Sequence, residues 1–290
     1  ESKFEEAQEW LRTELANGPV DAKTIFKIGK ADGFTEITVR RAKKSLGVES
    51  ERQGAAWVWL PPANVLIEGD RITAVGDEVG APAGSSVIDL DGLVLAPGFI
   101  DLQVNGGGGV MLNAAPSLDT VATIARAHRH LGTAAFLPTL ITDTRQHGIA
   151  AIKAVAQAID QNIPGVVGLH LEGPHLSVTR KGAHDGDLVR PMDDDDIALL
   201  LDTLQFIPNL FVTAAPENIT CAQIETLSTA GVVVSIGHSD CDYDTAMRAF
   251  DAGARMATHL FNAMSQASAR SPGLVGAALD HPDIAPGLIA

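Results

Sequence analysis

The sequence contains only two cysteines, Cys221 and Cys241, among its 290 residues. Two cysteines cannot build the disulfide framework of a small secreted domain, so we expect a reducing compartment. The sequence also lacks any run of 18 or more apolar residues, and residues 1–6 do not have the pattern of a signal peptide. Together these absences predict a soluble, cytoplasmic protein that makes no contact with a membrane.

Basic residues are also scarce, since 21 Lys and Arg stand against 36 Asp and Glu, which gives a net charge of -15. This balance argues against a role of the whole protein on nucleic acid or on an anionic membrane. Apolar residues are abundant, at 46%, which is enough to bury a large core. The chain does not begin with Met, and Leu288-Ile289-Ala290 has the character of a strand interior, so we expect both ends to continue in a longer protein.

Residues 1–61 have their own pattern of elements. Apolar spacing and capping residues predict three helices, followed by two strands about a turn. These helices are predicted at 3–16, 22–31 and Thr35 or Thr38 to Leu46, and the strands lie on either side of Gly54 within 48–60. Two helices, a basic third helix and a hairpin are typical of a winged helix-turn-helix module.

The stretch from Lys23 to Lys44 is basic within an acidic chain. It carries seven basic residues against Asp32 and Glu36, a local charge of +5. This charge favours phosphate contact, so residues 23–59 are candidates for contact with DNA. The alternative is a solvated helix face on a small packing module. The basic residues are Lys23, Lys27, Lys30, Arg40, Arg41, Lys43 and Lys44.

Two stretches of this module, Thr38–Val48 and Trp57-Val58-Trp59, resemble the winged-helix tails of phage-type replication ATPases and primases. The resemblance covers about sixty residues, 1–61. It implies a winged helix that contacts DNA.

The pattern changes after Pro61-Pro62, which marks a break. A hairpin is predicted around Gly69-Asp70, and a further short strand over 86–90. From residue 97 onward strands and helices alternate, which is typical of a parallel sheet and, at this number of strands, of a TIM-like (β/α) barrel. We count seven strands, so the predicted fold is an incomplete α/β barrel without its last strand. The strands are predicted at 99–104, 133–137, 166–171, 210–214, 232–237, 255–258 and 286–290, with helices between them, for example at 118–131 and 245–253.

Three of these strands end in side chains suited to metal binding. His170 and Glu172 close one strand two residues apart, hence on the same face, and Gly173-Pro174 ends it. His238 and His259 follow two later strands in the same style. Because the carboxyl ends of barrel strands meet at one edge, a carboxylate and two imidazoles there predict a metal site. For each histidine alone, the alternative is a hydrogen-bonded structural residue.

Five motifs in this region occur together and in a fixed order. They are Pro97–Gly106, Leu137-Pro138-Thr139, Gly168–Pro174, Gly237-His238-Ser239 and Thr258–Met264. In these motifs, residues 63–290 resemble the N-acetylglucosamine-6-phosphate deacetylases of the amidohydrolase superfamily. The resemblance implies a TIM-like barrel at 97–290 beside part of a small β-sandwich at 62–96. For full-length members of the family it also implies homo-oligomers.

By this resemblance, Glu172, His238 and His259 are the ligands of one divalent metal ion. We expect zinc, and other divalent ions suit the same ligands; one carboxylate and two imidazoles leave a position open for water. Many superfamily members carry His-x-His at the end of the first strand for a second metal, and here those positions are Gln103 and Asn105. Neutral amides are poor zinc ligands, so a single-metal site is expected, with Gln103 holding a water beside it.

The resemblance also implies a reaction and the residues that perform it. The expected substrate is N-acetylglucosamine 6-phosphate, whose N-acetyl group is hydrolysed to give glucosamine 6-phosphate and acetate. His184 matches the residue that contacts the acetyl carbonyl and stabilises the oxyanion, and Arg270 matches the phosphate-binding arginine. Ala183, Asn262 and Ala263 match further substrate contacts. The family's general acid/base, an Asp at the end of the eighth strand, has no counterpart in this sequence, so we expect weakened activity.

A second hypothesis belongs to a different functional class. In it the winged-helix-like module is the functional part, as a DNA-binding protein, and the barrel is an inert fragment. Release of amine from N-acetylglucosamine 6-phosphate, with and without zinc, distinguishes the two hypotheses.

Overall fold

The computed structural model of the protein divides into two compact units, Glu1–Ala96 and Pro97–Ala290. For residues 51, 53 and 56–60 the backbone alone is described. Within the described part of the chain, no helix combines the length and the apolar character needed to cross a membrane. The described residues are 2–16, 18–53, 56–60, 64–76, 79–90 and 94–289.

The first unit contains the three predicted helices, α1 (Lys3–Leu15), α2 (Ala22–Ala31) and α3 (Glu36–Ser45). Each begins at a side chain that accepts hydrogen bonds from the first turn, namely Ser2 for α1, Asp21 for α2 and Thr35 for α3. Their apolar faces pack together because the apolar residues recur at helical spacing. The buried core consists of Ala7, Leu11, Leu15, Ile25, Val39, Ala42, Leu46 and Val48.

An antiparallel sheet accompanies these helices, with the strand order β1-β3-β2. Its strands are β1 (Val20–Asp21), β2 (Glu49–Gln53) and β3 (Ala56–Leu60). The β2–β3 hairpin confirms the two predicted strands, while the predicted turn near Gly54 lies outside the described residues. Strand β1 was not predicted, because two residues carry no periodicity. The assignment as a winged helix stays a prediction.

A second hairpin follows, formed by β4 (Asn64–Glu68) and β5 (Arg71–Gly76). It confirms the predicted turn at Gly69-Asp70, where Gly69 has φ +65°. The predicted break at Pro61-Pro62 lies outside the described residues.

The predicted strand over 86–90 is wrong. These residues form no ladder with any described strand, and Val87 and Ile88 are exposed. A strand needs a partner for its backbone N–H and C=O groups, so an apolar run without a neighbouring strand does not form one. Within 62–96, the described residues form one hairpin, and the β-sandwich stays a prediction.

In the second unit, seven parallel strands form one sheet, in the order β14-β13-β12-β11-β10-β9-β6. A small antiparallel ribbon of β7 (Gly106–Gly107) and β8 (Val110–Met111) follows the first of these strands. The sheet strands are β6 (Phe99–Val104), β9 (Thr133–Ile141), β10 (Leu169–Glu172), β11 (Leu210–Ala214), β12 (Val233–Ile236), β13 (Met256–Ala257) and β14 (Ala285–Pro286).

The connections between these strands contain the helices, which confirms the predicted alternation. They are α4 (Leu118–His130), α5 (Arg145–Asp160), α6 (Asp194–Thr203), α7 (Cys221–Ala230), α8 (Tyr243–Asp251) and α9 (Gly273–Asp280), with a short 3₁₀ helix at Val178–Arg180. The main core lies between sheet and helices and includes Ile124, Phe136, Leu169, Leu210, Val234 and Phe250. This is the open parallel sheet of an incomplete α/β barrel.

The predicted strands are confirmed with shifted ends. Strand β9 continues to Ile141, beyond the predicted end at 137, and β14 ends at Pro286 instead of running to 290. Strand β10 begins at Leu169, because Val166 makes only an isolated bridge to Phe136. Strand ends are the least constrained by apolar spacing, so deviations of this size are expected.

A chain of buried hydrogen bonds crosses the face of the sheet that carries His170. The Nδ1–H of His170 donates to the carbonyl of Leu102 at 2.9 Å, so Nε2 accepts from the hydroxyl of Thr213 at 2.8 Å. Thr258 continues the chain to Thr213 at 2.7 Å, and Ser235 to Thr258 at 2.6 Å. Burial lowers the pKa of His170 to about 4, so the ring is neutral near pH 7. The buried polar side chains of this chain of hydrogen bonds are therefore satisfied and uncharged.

Candidate metal centre

Four ionisable side chains meet at the carboxyl ends of the strands. Glu172 is the last residue of β10, and His238 and His259 each follow the end of a strand, β12 and β13, by two residues. His184 comes from the loop between β10 and α6. Glu172, His184 and His238 are buried, and 10% of the His259 side chain is exposed. The site therefore lies where parallel α/β sheets place their functional groups.

The three residues predicted as ligands converge on a common point. The Nε2 atoms of His238 and His259 lie 3.1 Å and 3.2 Å from Oε1 of Glu172, and 3.0 Å from each other. The structure thus brings together three side chains whose positions in the sequence are up to 87 residues apart, from 172 to 259. The convergence arises because strands β10, β12 and β13 run parallel and end at the same edge of the sheet.

The proton on His238 can be placed from its neighbours. Its Nδ1 lies 2.8 Å from the carbonyl oxygen of Arg180, which can only accept a hydrogen bond, so Nδ1 carries the proton. In the neutral ring, Nε2 therefore presents a lone pair to the carboxylate of Glu172. Two acceptors 3.1 Å apart repel each other unless a cation or a proton lies between them.

The charge of Glu172 makes a cation the natural partner. Burial alone would raise the pKa of this carboxyl, but hydrogen bonds donated to it, the largest from His184, outweigh burial and hold the pKa far below its usual range. A full negative charge therefore sits beside the His238 lone pair. One carboxylate and two imidazoles are donors that zinc prefers, so the residues present fit a divalent ion.

His184 has the opposite proton arrangement. Its Nδ1 lies 3.2 Å from the backbone N–H of Thr142, which can only donate, so Nδ1 accepts and Nε2 carries the proton. That Nε2 lies 3.6 Å from Oε2 of Glu172. Candidate ligand atoms of Glu172, His184 and His238 all lie within 4.8 Å of one another, so distance alone would admit His184 as a ligand. Its proton makes it a hydrogen-bond donor toward the site.

The backbone around the site adopts conformations that non-glycine residues rarely use. His238 and His259 have φ +47° and +34°, and Phe261 and Ala263 have φ +73° and +47°. Such residues cost of order 1–3 kcal/mol each and concentrate at functional sites. The loop after β13 is therefore held in a strained arrangement next to the candidate ligands.

The other predicted site residues have no described contact with the four side chains of this cluster. Gln103 is half-buried on β6, and its backbone N–H donates to the carboxylate of Asp101. Ala183, directly before His184, is exposed. The exposed Asn262 donates from its side chain to the carbonyl of Leu260, Ala263 is half-buried, and Arg270 is exposed in a turn between Ser268 and Ser271.

Sequence reasoning missed two groups that hold the far sides of the imidazoles, namely Thr142 and the carbonyl of Arg180. Thr142 is 42 residues from His184, and Arg180 is 58 residues from His238. A backbone carbonyl has no signature in the sequence, so no pattern marks Arg180. Because the predicted strand ends at 137, Thr142 is placed in a loop. Its position directly after the end of β9, which could have marked it as a site residue, is therefore not recognised from the sequence.

Comparison with known proteins identifies similar sequences. Residues 94–289 match the amidohydrolase family. An N-acetylgalactosamine-6-phosphate deacetylase from Shewanella sp. (strain ANA-3) is 47% identical over 184 residues, which cover 63% of this chain and 46% of that protein. An N-acetylglucosamine-6-phosphate deacetylase from Haemophilus influenzae is 38% identical over 226 residues, which cover 78% of this chain and 58% of that protein.

A solved structure is similar as well. The crystal structure of N-acetylglucosamine-6-phosphate deacetylase from Pasteurella multocida aligns with a TM-score of 0.74 at 38% identity, covering 79% of this chain and 60% of that one. The chain spans about half the length of the curated relatives that it matches. Since the family match runs from residue 94 to residue 289, which is more than half of the chain, the protein belongs to the amidohydrolase family.

Proposed function

We propose that the protein hydrolyses the N-acetyl group of N-acetylglucosamine 6-phosphate to glucosamine 6-phosphate and acetate, a reaction of amino-sugar metabolism. The observation that carries the proposal is the convergence of one carboxylate and two imidazole nitrogens within 3.2 Å of one another. The similarity to deacetylases of N-acetylated hexosamine phosphates, at 38% and 47% identity, supports the substrate class.

Glu172, His238 and His259 would hold one divalent ion, and we propose zinc because carboxylate and imidazole donors suit it. When bound, zinc polarises a carbonyl oxygen and lowers the pKa of a bound water. Gln103 offers a neutral amide in place of an ionisable ligand, so we propose a single ion, with Gln103 holding a water nearby.

The remaining residues are proposed to bind and orient the substrate. His184 presents its Nε2–H toward the cluster, so it can donate to the acetyl oxygen as negative charge develops there. Arg270 carries a planar guanidinium that suits the phosphate group. Ala183 directly precedes His184, and Asn262 and Ala263 follow His259. These three residues would border the sugar.

The test measures acetate release by the full chain with zinc. We expect slow, zinc-dependent hydrolysis of N-acetylglucosamine 6-phosphate, still slower hydrolysis of the unphosphorylated sugar, and one zinc per chain. His184→Asn is expected to lower kcat by on the order of 100-fold, the usual cost of losing one oxyanion donor. N-acetylgalactosamine 6-phosphate is measured in parallel, because the relative at 47% identity is named for it.

The outcomes of this assay separate the proposals. Faster hydrolysis of the galactosamine derivative would overturn the choice of sugar but keep the reaction. A chain that binds zinc yet releases acetate from neither phosphorylated sugar would overturn the reaction itself. Activity that His184→Asn leaves unchanged would overturn the proposed role of His184, and two zinc ions per chain would contradict a single-metal site.

As a second candidate function, we propose that the first unit contacts duplex DNA. Lys43 is half-buried, its ammonium donates to the carbonyl of Val48, and burial lowers its pKa. Arg40 pairs with Glu36, but an exposed pair of this kind is weak enough to exchange for a phosphate. Six of the seven basic residues are exposed: Lys23, Lys27, Lys30, Arg40, Arg41 and Lys44.

An electrophoretic shift assay with the full chain tests this proposal at several salt concentrations. We expect binding that weakens steeply with salt, and a shallower dependence when Lys27 and Lys44 are both replaced by Gln, because each lost phosphate contact reduces the slope by about 0.9. Lys153→Gln, an exposed lysine on α5, is the matched control. Absence of binding at the lowest salt, or binding independent of salt, would favour the solvated helix face instead.

A further inference from the structure

We propose that Thr142 is a positioning residue that fixes the proton of His184 on Nε2, so that this ring donates a hydrogen bond into the site instead of ligating the metal. The inference rests on the proposed function for its catalytic consequence. Its structural content, the tautomer of one histidine, can be measured without any activity.

The contact is made by two groups of one residue. Thr142 directly follows β9, and only 5% of it is exposed. Its backbone N–H lies 3.2 Å and its Oγ1 lies 2.8 Å from Nδ1 of His184. The backbone group can only donate, so Nδ1 must offer its lone pair, and the hydroxyl approaches the same nitrogen. The backbone N–H selects the tautomer with the proton on Nε2, and in that tautomer the hydroxyl donates to the same Nδ1 lone pair.

The neighbouring strand leaves space for this hydroxyl. Ile141 is the register partner of Glu172, so Thr142 lies beside Gly173. A Cβ added at Gly173 would come 2.2 Å from Oγ1 of Thr142, and Gly173 has φ +89°. Glycine directly after the candidate ligand Glu172 therefore allows the hydroxyl to reach His184, and a side chain at that position would displace it.

The neighbouring histidine, His238, has a hydrogen-bond acceptor on its far side, whereas His184 has a donor there. The rings of His184 and His238 lie 4.4 Å apart between centroids and both face Glu172. A donor, the N–H of Thr142, contacts the far side of His184, whereas an acceptor, the carbonyl of Arg180, contacts the far side of His238. Two similar imidazoles are thereby given different chemistry: His238 keeps a lone pair for a metal, and His184 keeps a proton for an oxyanion.

Removal of the hydroxyl should weaken this distinction. In Thr142→Val the backbone N–H remains, but one of the two contacts to Nδ1 is lost. We expect the other tautomer of His184 to become populated and kcat to fall by about 3- to 10-fold, the effect of one net hydrogen bond. KM and zinc affinity should stay within about twofold, because the three proposed ligands are unchanged. Thr142→Ser, which keeps the hydroxyl, should restore kcat.

The experiment combines NMR spectroscopy of isotopically labelled histidine with kinetics, on the full chain with and without zinc. Protonated and unprotonated ring nitrogens have distinct shifts, and a His184→Gln spectrum assigns the resonances of His184. Thr203→Val is the matched control: Thr203 is 2% exposed, and its hydroxyl bonds the carbonyl of Leu199 within α6, so tautomer and kcat should not change.

The possible outcomes are distinct. A proton on Nδ1 of His184 in the unmodified chain overturns the proposal, whether or not any variant folds. A Thr142→Val chain with the tautomer and kcat of the unmodified chain also overturns it. If the chain hydrolyses neither sugar phosphate, the proposed function fails, while the spectra still decide the role of Thr142.

Discussion

Replacing Glu172 by Gln is expected to weaken zinc binding by more than about 100-fold. Loss of outer hydrogen-bond partners alone typically costs about 10–100-fold in metal affinity, and here a proposed ligand loses its charge. Hydrogen bonds from the surrounding histidines, His184 first, outweigh burial and hold the pKa of Glu172 far below its usual range, so the amide removes a full negative charge. Gln has nearly the same shape, which preserves the packing at the end of β10.

Zinc affinity is measured by competition with a chromophoric chelator near pH 7. Glu225→Gln is the control, because Glu225 is exposed on α7 and the same chemical change there should leave affinity within about twofold. Retention of zinc by Glu172→Gln would mean that the ion binds elsewhere. In that case the convergence of Glu172, His238 and His259 would be a structural hydrogen-bond cluster.

The positions of these three residues were accessible from the sequence because the rule that places them is general. A residue at the carboxyl end of a parallel strand reaches the same edge of the sheet as its counterparts on other strands. Glu172, His238 and His259 stand at or just after strand ends, so a shift of one or two residues in a predicted boundary does not move them away. Their convergence depends on the order and direction of the strands more than on the exact residue at which each strand ends.

The protonation of the site could not be predicted, because it depends on loop paths. His184 lies on a long connection whose course is set by contacts such as Ser177 N–H to the carbonyl of His238. Neither Thr142 nor Arg180 is recognisable as a partner until the loop is folded. The tautomers of the individual histidines therefore depend on the folded loops and cannot be predicted from their spacing.

The start of α6 also combines a feature that the sequence predicts with one that it does not. The acidic run Asp193–Asp196 predicts the start of a helix, because the helix dipole stabilises carboxylates at its N-terminus. Asp193 is the N-cap of α6. The sequence does not reveal that Asp196 is buried while Asp195 is exposed. The difference arises because Arg145, 51 residues before Asp196, and Arg190, six residues before it, reach the same carboxylate. Helical spacing fixes the direction of a side chain, but the partner comes from elsewhere in the fold.

Asp196→Ala is expected to destabilise the second unit by about 2–3 kcal/mol. Arg190 donates to both carboxylate oxygens, and Arg145 donates to one of them at 2.9 Å. Breaking a buried ion pair costs roughly 3–5 kcal/mol, but the arginines here are 34% and 37% exposed and regain water, which reduces the cost. Asp195→Ala, at a side chain 83% exposed in the same helix turn, should cost less than about 0.5 kcal/mol.

This destabilisation should depend on pH in one direction. Burial alone would raise the pKa of Asp196, but hydrogen bonds from Arg190, the backbone of Asp193 and Arg145 lower it below the ordinary value of 3.8. A depressed pKa contributes stability above the unfolded value and loses it as pH falls toward the folded value. The gap between the unmodified chain and Asp196→Ala should therefore be full at pH 7 and shrink below about pH 4.

Urea unfolding of the full chain measures this gap, and the chain supplies its own internal reference. All three tryptophans, Trp10, Trp57 and Trp59, belong to the first unit, so their fluorescence follows that unit, while circular dichroism also follows the second. Asp196→Ala should shift the circular dichroism transition and leave the fluorescence transition in place. If Asp196 acts through its charge, its protonation at low pH weakens the bonds to the arginines and the gap shrinks. A gap that persists unchanged at pH 3 would show that Asp196 stabilises the fold through packing instead.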